Sequence, residues 1–460
     1  MSTEFQKLPG VDQLLSHAQI ASLEAEYPRA FIVNLVRKQL DEARRTIGVG
    51  NKCPTIDEIV LSLRRYLEVL ATPSLRTVIN ATGVILHTNL GRAPLSKKTI
   101  AAMIAVSNGY SNLEFDIVKG FRGSRQTHIE RLLCEVTSAE AALVVNNNAS
   151  AVLLGLSALA KRKEIIVSRG QAVEIGDSFR IPDVMRQSGA KLVEVGTTNC
   201  TYVRDYENAI TNSTAALLRV HSSNFKVVGF TNEITIEEMV AVGNKYNLPV
   251  FDDLGSGCLL DTTIFGLAAE PLVQRSIAAG VALVFFSGDK LIGGPQAGII
   301  VGKKEYIDKL KRHPLARAVR IDKIRLAGLI ATLIHYLKGE APTTIPIWQM
   351  ISANLNEIGI RAQLWSDATH GLGRVINGES MVGGGSLPGG TLPTKLMAIS
   401  TDTRKNAALV LKLSQHLRNY TTPIVGRISD NVFLLDPRSV LPEEDEIVVK
   451  ALTEITSSFK

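Results

Sequence analysis

Between residues 141 and 302 the sequence alternates short apolar runs with helical segments, and this alternation constrains the fold more than any other feature. The runs have the length of buried strands, and stretches with helical periodicity, such as Ile234–Tyr246, lie between most of them. Continuous apolar strands separated by helices are typical of an α/β fold with a mostly parallel sheet covered on both faces. The predicted strands are Ala141–Val145, Glu164–Ser168, Lys191–Val195, Ala215–Val220, Leu248–Asp252, Val281–Phe286 and Ala297–Val301.

The chain is long enough for several domains, because single hydrophobic cores rarely serve 460 residues. Residues 1–75 carry apolar side chains at helical spacing, which predicts a small helical N-terminal domain. Residues 76–339 contain the alternating pattern and form the predicted large α/β domain. Residues 340–460 predict a smaller α+β domain, with one long helix from Trp348 to Trp365 and a Gly-rich turn at Val382–Gly390.

A lysine loop follows the sixth predicted strand. In the segment Phe285–Gln296, Ser287 and Lys290 stand three residues apart beyond a buried strand. A lysine at a strand end can lie in a partly desolvated site, where its pKa falls and its neutral amine can form a Schiff base. Ser287 is placed to hydrogen-bond a cofactor phosphate. Taken alone, a serine three residues before a lysine is also common in surface loops, so the interpretation depends on the neighbouring motifs.

Two further motifs also follow predicted strands. Asp252 and Asp253 stand at the end of a buried strand, and Asn148, Ala149 and Ser150 join another strand to a helix. Pyridoxal 5′-phosphate (PLP) enzymes need a carboxylate at the pyridine nitrogen, because the protonated ring is the better electron sink. We favour Asp253 for this role, with Asp252 as the alternative. The N–H groups at the helix start can bind a phosphate. A phosphate-binding helix start, an aspartate and a lysine, in this order along the chain and each after a predicted strand, indicate a PLP enzyme.

Two groups of arginines suggest a second, anionic reactant. Arg92 follows an apolar run, and Arg317 and Arg320 are three residues apart on one helical face. The segment Lys303–Arg325 around the latter pair contains nine basic and three acidic residues. Arginine binds phosphate-like oxyanions through its fixed fork of donors. The arginines therefore predict a site for an anionic co-substrate, and solvated surface side chains are the alternative.

Composition excludes several classes of protein. The four cysteines lie far apart, without a C-x-x-C pair or a histidine cluster nearby, so we expect neither a metal site nor disulfides. No run approaches ~20 uninterrupted apolar residues, and the first residues lack the features of a signal peptide. We therefore expect a cytoplasmic protein with no membrane partner. The net charge is only +7, and we expect no DNA partner.

Conspicuous motifs occur along nearly the whole chain. They are Leu8–Leu15, Ile79–Ser96, Tyr110–Asp116, Gly120–Arg125, Ser168–Gly176, Glu194–Asn199, His221–Phe225, Asp253–Gly257, Phe286–Lys304, Gly383–Pro388 and Val425–Ile428. Together they resemble the bacterial selenocysteine synthases (L-seryl-tRNA(Sec) selenium transferases), which belong to the aspartate aminotransferase superfamily of PLP enzymes. The resemblance implies PLP fold type I, with a mostly parallel seven-stranded sheet in the large domain.

The resemblance also implies a reaction. The family converts L-seryl-tRNA(Sec) to L-selenocysteinyl-tRNA(Sec) with selenophosphate, through a PLP-bound aminoacrylyl intermediate. Carried onto this chain, it makes Lys290 the Schiff-base lysine and Asp289 its neighbour in the site. His221, in one of the matching motifs, is assigned to cofactor binding.

The resemblance assigns the arginines and the N-terminal domain as well. Arg92, Arg317 and Arg320 match the arginines that hold the selenium donor. The helical N-terminal domain would grip the tRNA, although its first 75 residues are not net basic, with nine Lys and Arg against nine Asp and Glu. Phosphate contacts need local rather than net charge. The family assembles as a ring of dimers, and we expect a decamer.

The chain departs from the family pattern at three positions. Cys200 stands where the family usually has arginine, and Gln171 and Asp177 replace an expected glutamate and glycine. Two other functions are open at this point. A PLP-dependent lyase acting on a small anionic amino-sugar acid phosphate would use the arginines without any tRNA, and a non-catalytic tRNA-binding protein would use the fold without its chemistry.

Overall fold

The computed structural model describes residues 3–175, 179–399 and 407–457, so Asp177 lies outside the described residues. The chain forms two compact units, Met1–Thr77 and Val78–Lys460. The first unit therefore ends two residues beyond the predicted boundary at 75. The predicted division at residues 339 and 340 falls inside the second unit and stays a prediction.

The first unit consists of helices. Its core is built mainly by two long helices whose apolar faces meet, as the helical spacing of their apolar residues predicts. The last helix begins with a capping box, in which Thr55 Oγ1 accepts from the N–H of Glu58 at 3.2 Å and the Glu58 carboxylate accepts from the N–H of Thr55 at 2.7 Å. The helices are α1 (Val11–Leu15), α2 (Ala18–Ala21), α3 (Arg29–Gly48) and α4 (Ile56–Ala71).

A seven-stranded sheet forms the centre of the second unit. The strands are β1 (Ala141–Val145), β2 (Glu164–Ser168), β3 (Lys191–Val195), β4 (Thr214–Val220), β5 (Val250–Gly255), β6 (Leu283–Ser287) and β7 (Gly298–Gly302). Their order in the sheet is β1-β7-β6-β5-β4-β2-β3. Only β7 runs antiparallel to its neighbours. The predicted fold class and all seven predicted strands are confirmed.

Most strands of this sheet are buried on both faces, which explains why β1, β6 and β7 consist almost entirely of apolar residues rather than alternating apolar and polar ones. In β6, Val284 and Phe286 pack into the core on one face, while Leu283 and Phe285 pack into the core on the other. Each of these four side chains is at most 1% exposed. Helices cover both faces, and none of the helices in the described residues has the length and apolarity that a membrane span needs.

The helices of the second unit lie between and beyond the strands. They are α5 (Lys97–Ser107), α6 (Glu130–Thr137), α7 (Asn148–Leu159), α8 (Ile181–Ser188), α9 (Val203–Ala209), α10 (Ile236–Tyr246), α11 (Val273–Ala279), α12 (Lys304–Arg312), α13 (Pro314–Ala318), α14 (Lys323–Leu337), α15 (Ala341–Thr344), α16 (Pro346–Ser352), α17 (Leu355–Asp367), α18 (Ala407–Arg418) and α19 (Asp445–Ser457). The second unit also contains three pairs of two-residue strands: Ile79–Asn80 with Ile424–Val425, Phe115–Asp116 with Phe121–Arg122, and Glu174–Ile175 with Phe179–Arg180.

The C-terminal part of the second unit has an antiparallel sheet of its own. Its strands are β8 (Gly373–Met381), β9 (Thr391–Ile399), β10 (Arg427–Ser429) and β11 (Val432–Leu435), in the order β8-β9-β11-β10. The prediction of one helix from Trp348 to Trp365 is wrong. Asn354 interrupts it, because its side chain accepts from the N–H of Asn356 at 2.8 Å and caps α17 as a separate helix.

The burial of β6 gives a test of the sheet's contribution to stability. We expect Leu283→Ala, at a fully buried position, to lower the free energy of unfolding by about 2–5 kcal/mol. The matched variant Leu411→Ala lies in α18 at a position that is 61% exposed, and we expect a change of about 0.5 kcal/mol or less. Denaturant unfolding followed by circular dichroism measures both. Equal effects of the two substitutions would contradict the assigned burial.

Candidate active site

The site lies where strands of the central sheet end together. Because β4, β5 and β6 are adjacent and parallel, His221, Asp253 and Ser287 emerge along the same edge. Strand β1 also ends at this edge, since Val145 and Ser287 both pair with Gly298 of β7. The motifs that follow these four strands are therefore brought together by the sheet itself.

The lysine loop is held rigidly at the end of β6. The loop closes on itself, with Gly294 N–H donating to the carbonyl of Gly288 at 2.9 Å. The carbonyl of Leu291 accepts from Trp348 Nε1 at 3.0 Å and from the Tyr336 hydroxyl at 2.9 Å. Trp348 is buried and Tyr336 is half-buried, so these hydrogen bonds are largely shielded from water. Hydrogen bonds within the loop and from the side chains of Tyr336 and Trp348 therefore fix the backbone that carries Lys290.

The Lys290 amine is almost fully enclosed. The residue is 5% exposed, and Nζ donates to the carbonyl of Gly385 at 3.4 Å. Burial, followed by the nearby Arg92 guanidinium, lowers the pKa of this amine below its ordinary value, while Asp253 acts in the opposite direction. A lowered pKa favours the neutral amine, which is the form that acts as nucleophile or base.

The two neighbouring aspartates have different surroundings. Asp252 is bound by Arg219 through two hydrogen bonds of 2.8 Å and by the Ser276 hydroxyl at 2.6 Å. Asp253 instead accepts from Asn148 Nδ2 at 2.9 Å, and burial raises its pKa to about 6. Asp252 is thus engaged inside the protein, whereas Asp253 is a buried carboxylate without a cationic hydrogen-bond donor among the described residues.

A cavity of about 360 Å³ lies against these groups. Seven of the predicted site residues line it: Arg92, Asn148, Ala149, His221, Asp253, Ser287 and Lys290. Ser150 does not line it, and its backbone N–H donates to the capping side chain of Asn147 at 2.8 Å. The sequence motifs therefore converge on a single cavity.

The cavity has the groups that PLP requires. Asn148 Oδ1 and Ser223 Oγ are buried and have no hydrogen-bond partner among the described residues, and polar atoms in this state call for a polar ligand. Helix α7 begins at this wall, and its first N–H groups have no partner inside the helix. A phosphate fits there beside Ser287, and a protonated pyridine nitrogen would supply the cation that Asp253 lacks. The residues present fit the cofactor.

The remaining predicted site residues lie outside the cavity lining. Asp289 accepts from Arg92 Nη1 at 2.7 Å and so positions that guanidinium at the cavity wall. Arg317 and Arg320 are exposed and do not line the cavity. Arg320 lies 3.7 Å from Glu114, and its backbone pairs with Val145 at the end of β1. Their role toward a donor stays a prediction.

Sequence reasoning missed several residues of the cavity. Thr88, Ser223, Gln296, Gly384 and Gly385 also line it. All of them lie within the motifs that carried the resemblance, which was the available signal. A side chain on Gly385 would place its Cβ 3.1 Å from Lys290 Nζ and 3.6 Å from Ser223 Oγ, so the Gly-rich turn closes directly over the amine.

Two other predicted features lie away from the cavity. Cys200 is in a turn, where its carbonyl accepts from the N–H of Thr197 at 2.9 Å, and it does not line the cavity. The Gln171 side chain is buried and accepts from the N–H of Val220 at 3.0 Å. The described residues contain no group of three or more His, Cys, Asp or Glu side chains that could hold a metal ion.

Comparison with known proteins adds independent information. Residues 78–441 match the family model described as L-seryl-tRNA selenium transferase, and residues 5–44 match the model described as selenocysteine synthase N terminal. The L-seryl-tRNA(Sec) selenium transferase of Geobacter sulfurreducens is 49% identical over 465 residues, covering 99% of this chain and 100% of that protein. The protein of the same name from Alkaliphilus oremlandii is 47% identical over 463 residues, covering 98% of each.

A solved structure shares the fold. D-glucosaminate-6-phosphate ammonia-lyase aligns with a TM-score of 0.59 and 21% sequence identity, covering 86% of this chain and 98% of that chain. At 21% identity, this similarity shows a shared fold and nothing more.

The two aspartates give a paired test. The pKa of Asp253 rises from 3.8 to about 6 on folding, so its favourable contribution is complete below about pH 4 and is lost as pH rises to about 6. At pH 7.5 the cofactor-free protein bears a buried charge, and we expect Asp253→Asn to raise its free energy of unfolding by about 1–3 kcal/mol. PLP should then stabilise the variant less than the wild type.

The matched variant is Asp252→Asn, which leaves Arg219 without its buried partner. We expect it to lower the free energy of unfolding by about 3–5 kcal/mol under the same conditions. Denaturant titrations with and without PLP measure both variants. A destabilised cofactor-free Asp253→Asn protein at pH 7.5 would refute the assignment of Asp253 as the unpaired carboxylate.

Proposed function

Because the chain belongs to the L-seryl-tRNA selenium transferase family, we propose that it converts L-seryl-tRNA(Sec) to L-selenocysteinyl-tRNA(Sec) with selenophosphate as donor. The observation that carries the proposal is the near-50% identity to proteins of that name over the full length of both chains. The cavity supports it, because it combines a buried amine, a buried carboxylate and an arginine in one place.

The cofactor of this reaction is pyridoxal phosphate, and residues already described would hold it. Lys290 would provide the covalent attachment, and Asp253 would bind the pyridine nitrogen. Asn148, Ala149 and Ser287 would hold the phosphate at the start of α7. When bound, PLP supplies an electron sink for the charge that develops at the seryl α-carbon.

Lys290 then acts on the substrate as a base. Its amine is buried beside Arg92, and both features favour the neutral form. A neutral amine at this position accepts the α-proton of the seryl group and keeps it inside a site that excludes water. The rigid loop around Leu291 holds the amine in place during this transfer.

The arginines are proposed to receive the selenium donor. Arg92 lines the cavity, and its guanidinium is held by Asp289 with donors left for an oxyanion. We assign Arg317 and Arg320 to the same task on the resemblance to the family, since both are exposed and basic. They would draw in a phosphate-bearing reactant from solvent.

The N-terminal unit is proposed to bind the tRNA. Its own hydrophobic core makes it a separate module, and residues 5–44 match the domain model described as selenocysteine synthase N terminal. We further propose that the chain assembles into a homo-oligomer built as a ring of dimers. We also propose that it works in the cytoplasm, where aminoacylated tRNA is found. The same N-terminal match favours a tRNA substrate over a small amino-sugar acid phosphate.

Lys290 gives the direct test of the reaction. We expect Lys290→Ala to reduce selenocysteinyl-tRNA formation by at least about 10²-fold, because both covalent attachment and the base are lost. Binding of seryl-tRNA(Sec) should remain. The exposed-lysine variant Lys304→Ala serves as control and should keep full activity. Mass spectrometry of the aminoacyl group, with and without selenophosphate, reads the outcome, and turnover by Lys290→Ala would sink the assignment.

Removal of residues 1–77 tests the proposed tRNA unit. We expect the chain 78–460 to bind PLP as the full chain does, since every cavity residue lies within it. Its affinity for seryl-tRNA(Sec) should fall by at least about 10-fold, because phosphate contacts dominate such binding. Absorbance of bound PLP and filter binding of labelled tRNA measure the two properties. Unchanged tRNA affinity would contradict the proposed role of this unit.

A further inference from the structure

Beside the cavity lies a histidine–glutamate pair that the reaction described so far does not use. Glu270 Oε1 is 3.5 Å from His221 Nε2. The Glu270 side chain is 2% exposed and the His221 side chain 22% exposed. Neither of these two atoms has a hydrogen-bond partner within the described protein, and both are buried. The geometry therefore directs each group toward the other.

Among the described residues, the Glu270 carboxylate makes its ion-pair contact with His221. Its backbone N–H donates to Thr262 Oγ1 at 3.0 Å, and that hydroxyl donates to the carbonyl of Ala268 at 2.6 Å. These hydrogen bonds fix the backbone of the turn, and the Glu270 side chain is 2% exposed. Burial of a carboxylate without a donor costs several kcal/mol, so an imidazole N–H at this distance is the stabilising partner.

His221 is fixed at the same time toward the substrate. Its backbone N–H donates to the carbonyl of Asp253 at 2.9 Å, and its ring lines the cavity together with Lys290. Nε2 is the enclosed nitrogen that faces Glu270. Nδ1 is the ring nitrogen that does not face Glu270. A histidine whose second nitrogen is oriented by a carboxylate is a common arrangement for proton transfer.

We propose that His221, oriented by Glu270, is the acid that protonates the β-hydroxyl as it leaves the seryl group. The proposal deepens the proposed function and rests on it. Lys290 takes the α-proton, and the electron pair of the Cα–H bond becomes the Cα–Cβ double bond. The Cβ–O bond breaks with its electrons on oxygen, and the oxygen takes the proton from His221 Nδ1 and departs as water. Glu270 is a positioning residue and balances the charge of the imidazolium.

Other ionisable groups at the cavity are engaged elsewhere. Lys290 carries the α-proton at this stage, and Asp253 is assigned to the pyridine nitrogen. Asp289 is paired with Arg92 at 2.7 Å. Hydroxide is a poor leaving group, so its departure from the β-carbon needs an acid other than these. His221 is the remaining amine, carboxyl or imidazole side chain among those lining the cavity, and it is left to act as the general acid.

The test separates α-proton removal from hydroxyl loss. Full-length His221→Asn and Glu270→Gln proteins, loaded with PLP, are incubated with seryl-tRNA(Sec) in D₂O without selenophosphate. Deuterium at the seryl α-carbon is measured by mass spectrometry, and selenocysteinyl-tRNA formation is measured separately with donor. Affinities for PLP and for the tRNA are measured by titration. Glu340→Gln is the matched control, because it breaks another histidine–glutamate pair outside the cavity lining, between the buried His335 and the partly exposed Glu340 at 2.7 Å.

We expect α-deuterium exchange in both variants to stay within about 3-fold of wild type, while product formation falls by about 10²–10³-fold in His221→Asn and about 10-fold or more in Glu270→Gln. Affinities for PLP and tRNA should stay unchanged, and Glu340→Gln should behave as wild type. Parallel loss of exchange and product, or weakened PLP binding, would overturn the proposal in favour of a cofactor-holding role. Wild-type activity in the variants would overturn it as well. Absence of product from the wild-type enzyme itself would instead refute the proposed function.

Discussion

Burial of one amine and one carboxylate at the ends of two adjacent parallel strands sets the conditions for the whole site. Lys290 and Asp253 are each 5% exposed or less, and each acts on the other's protonation through space. Desolvation outweighs this attraction, so the amine tends toward its neutral form and the carboxyl toward its protonated form. A cationic ring nitrogen would pair with the buried Asp253 carboxylate, and a carbonyl carbon would react with the neutral Lys290 amine. The pair is therefore matched to a ligand that offers both.

Chain segments that are far apart in sequence shield Lys290 and Asp253 from solvent. The Gly-rich turn after β8 lies over Lys290, and the segment that opens the second unit packs beneath that turn. A Cβ on Gly384 would lie 2.6 Å from the Leu86 backbone oxygen, and the φ of Gly384 is +63°. Only glycine allows this approach and this backbone conformation together. The enclosure of the Lys290 amine thus depends on contacts between the Gly-rich turn and the segment around Leu86.

How much the sequence predicts depends on whether a residue's role is set locally. The seven strands are predictable because both sheet faces are buried, and the motifs after them meet because parallel strands end at one edge. The break at Asn354 has only a local cap as its cause, and hydrophobic periodicity continues across it. Glu270 lies in a turn with no neighbouring motif, so nothing in its sequence environment indicates its contact with His221.

The alternation of side chains along a strand explains how two adjacent, identical residues come to differ in chemistry. Asp252 and Asp253 are consecutive in β5, so they point to opposite faces of the sheet. One side chain meets Arg219 of β4 and Ser276 of α11, which satisfy its charge inside the protein. The other meets Asn148 and the cavity, where no cation from the described part of the chain lies within hydrogen-bonding distance. A shift of one residue in the register of β5 would exchange them, so the pairing of β5 with β4 and β6 determines which aspartate is available to a cofactor.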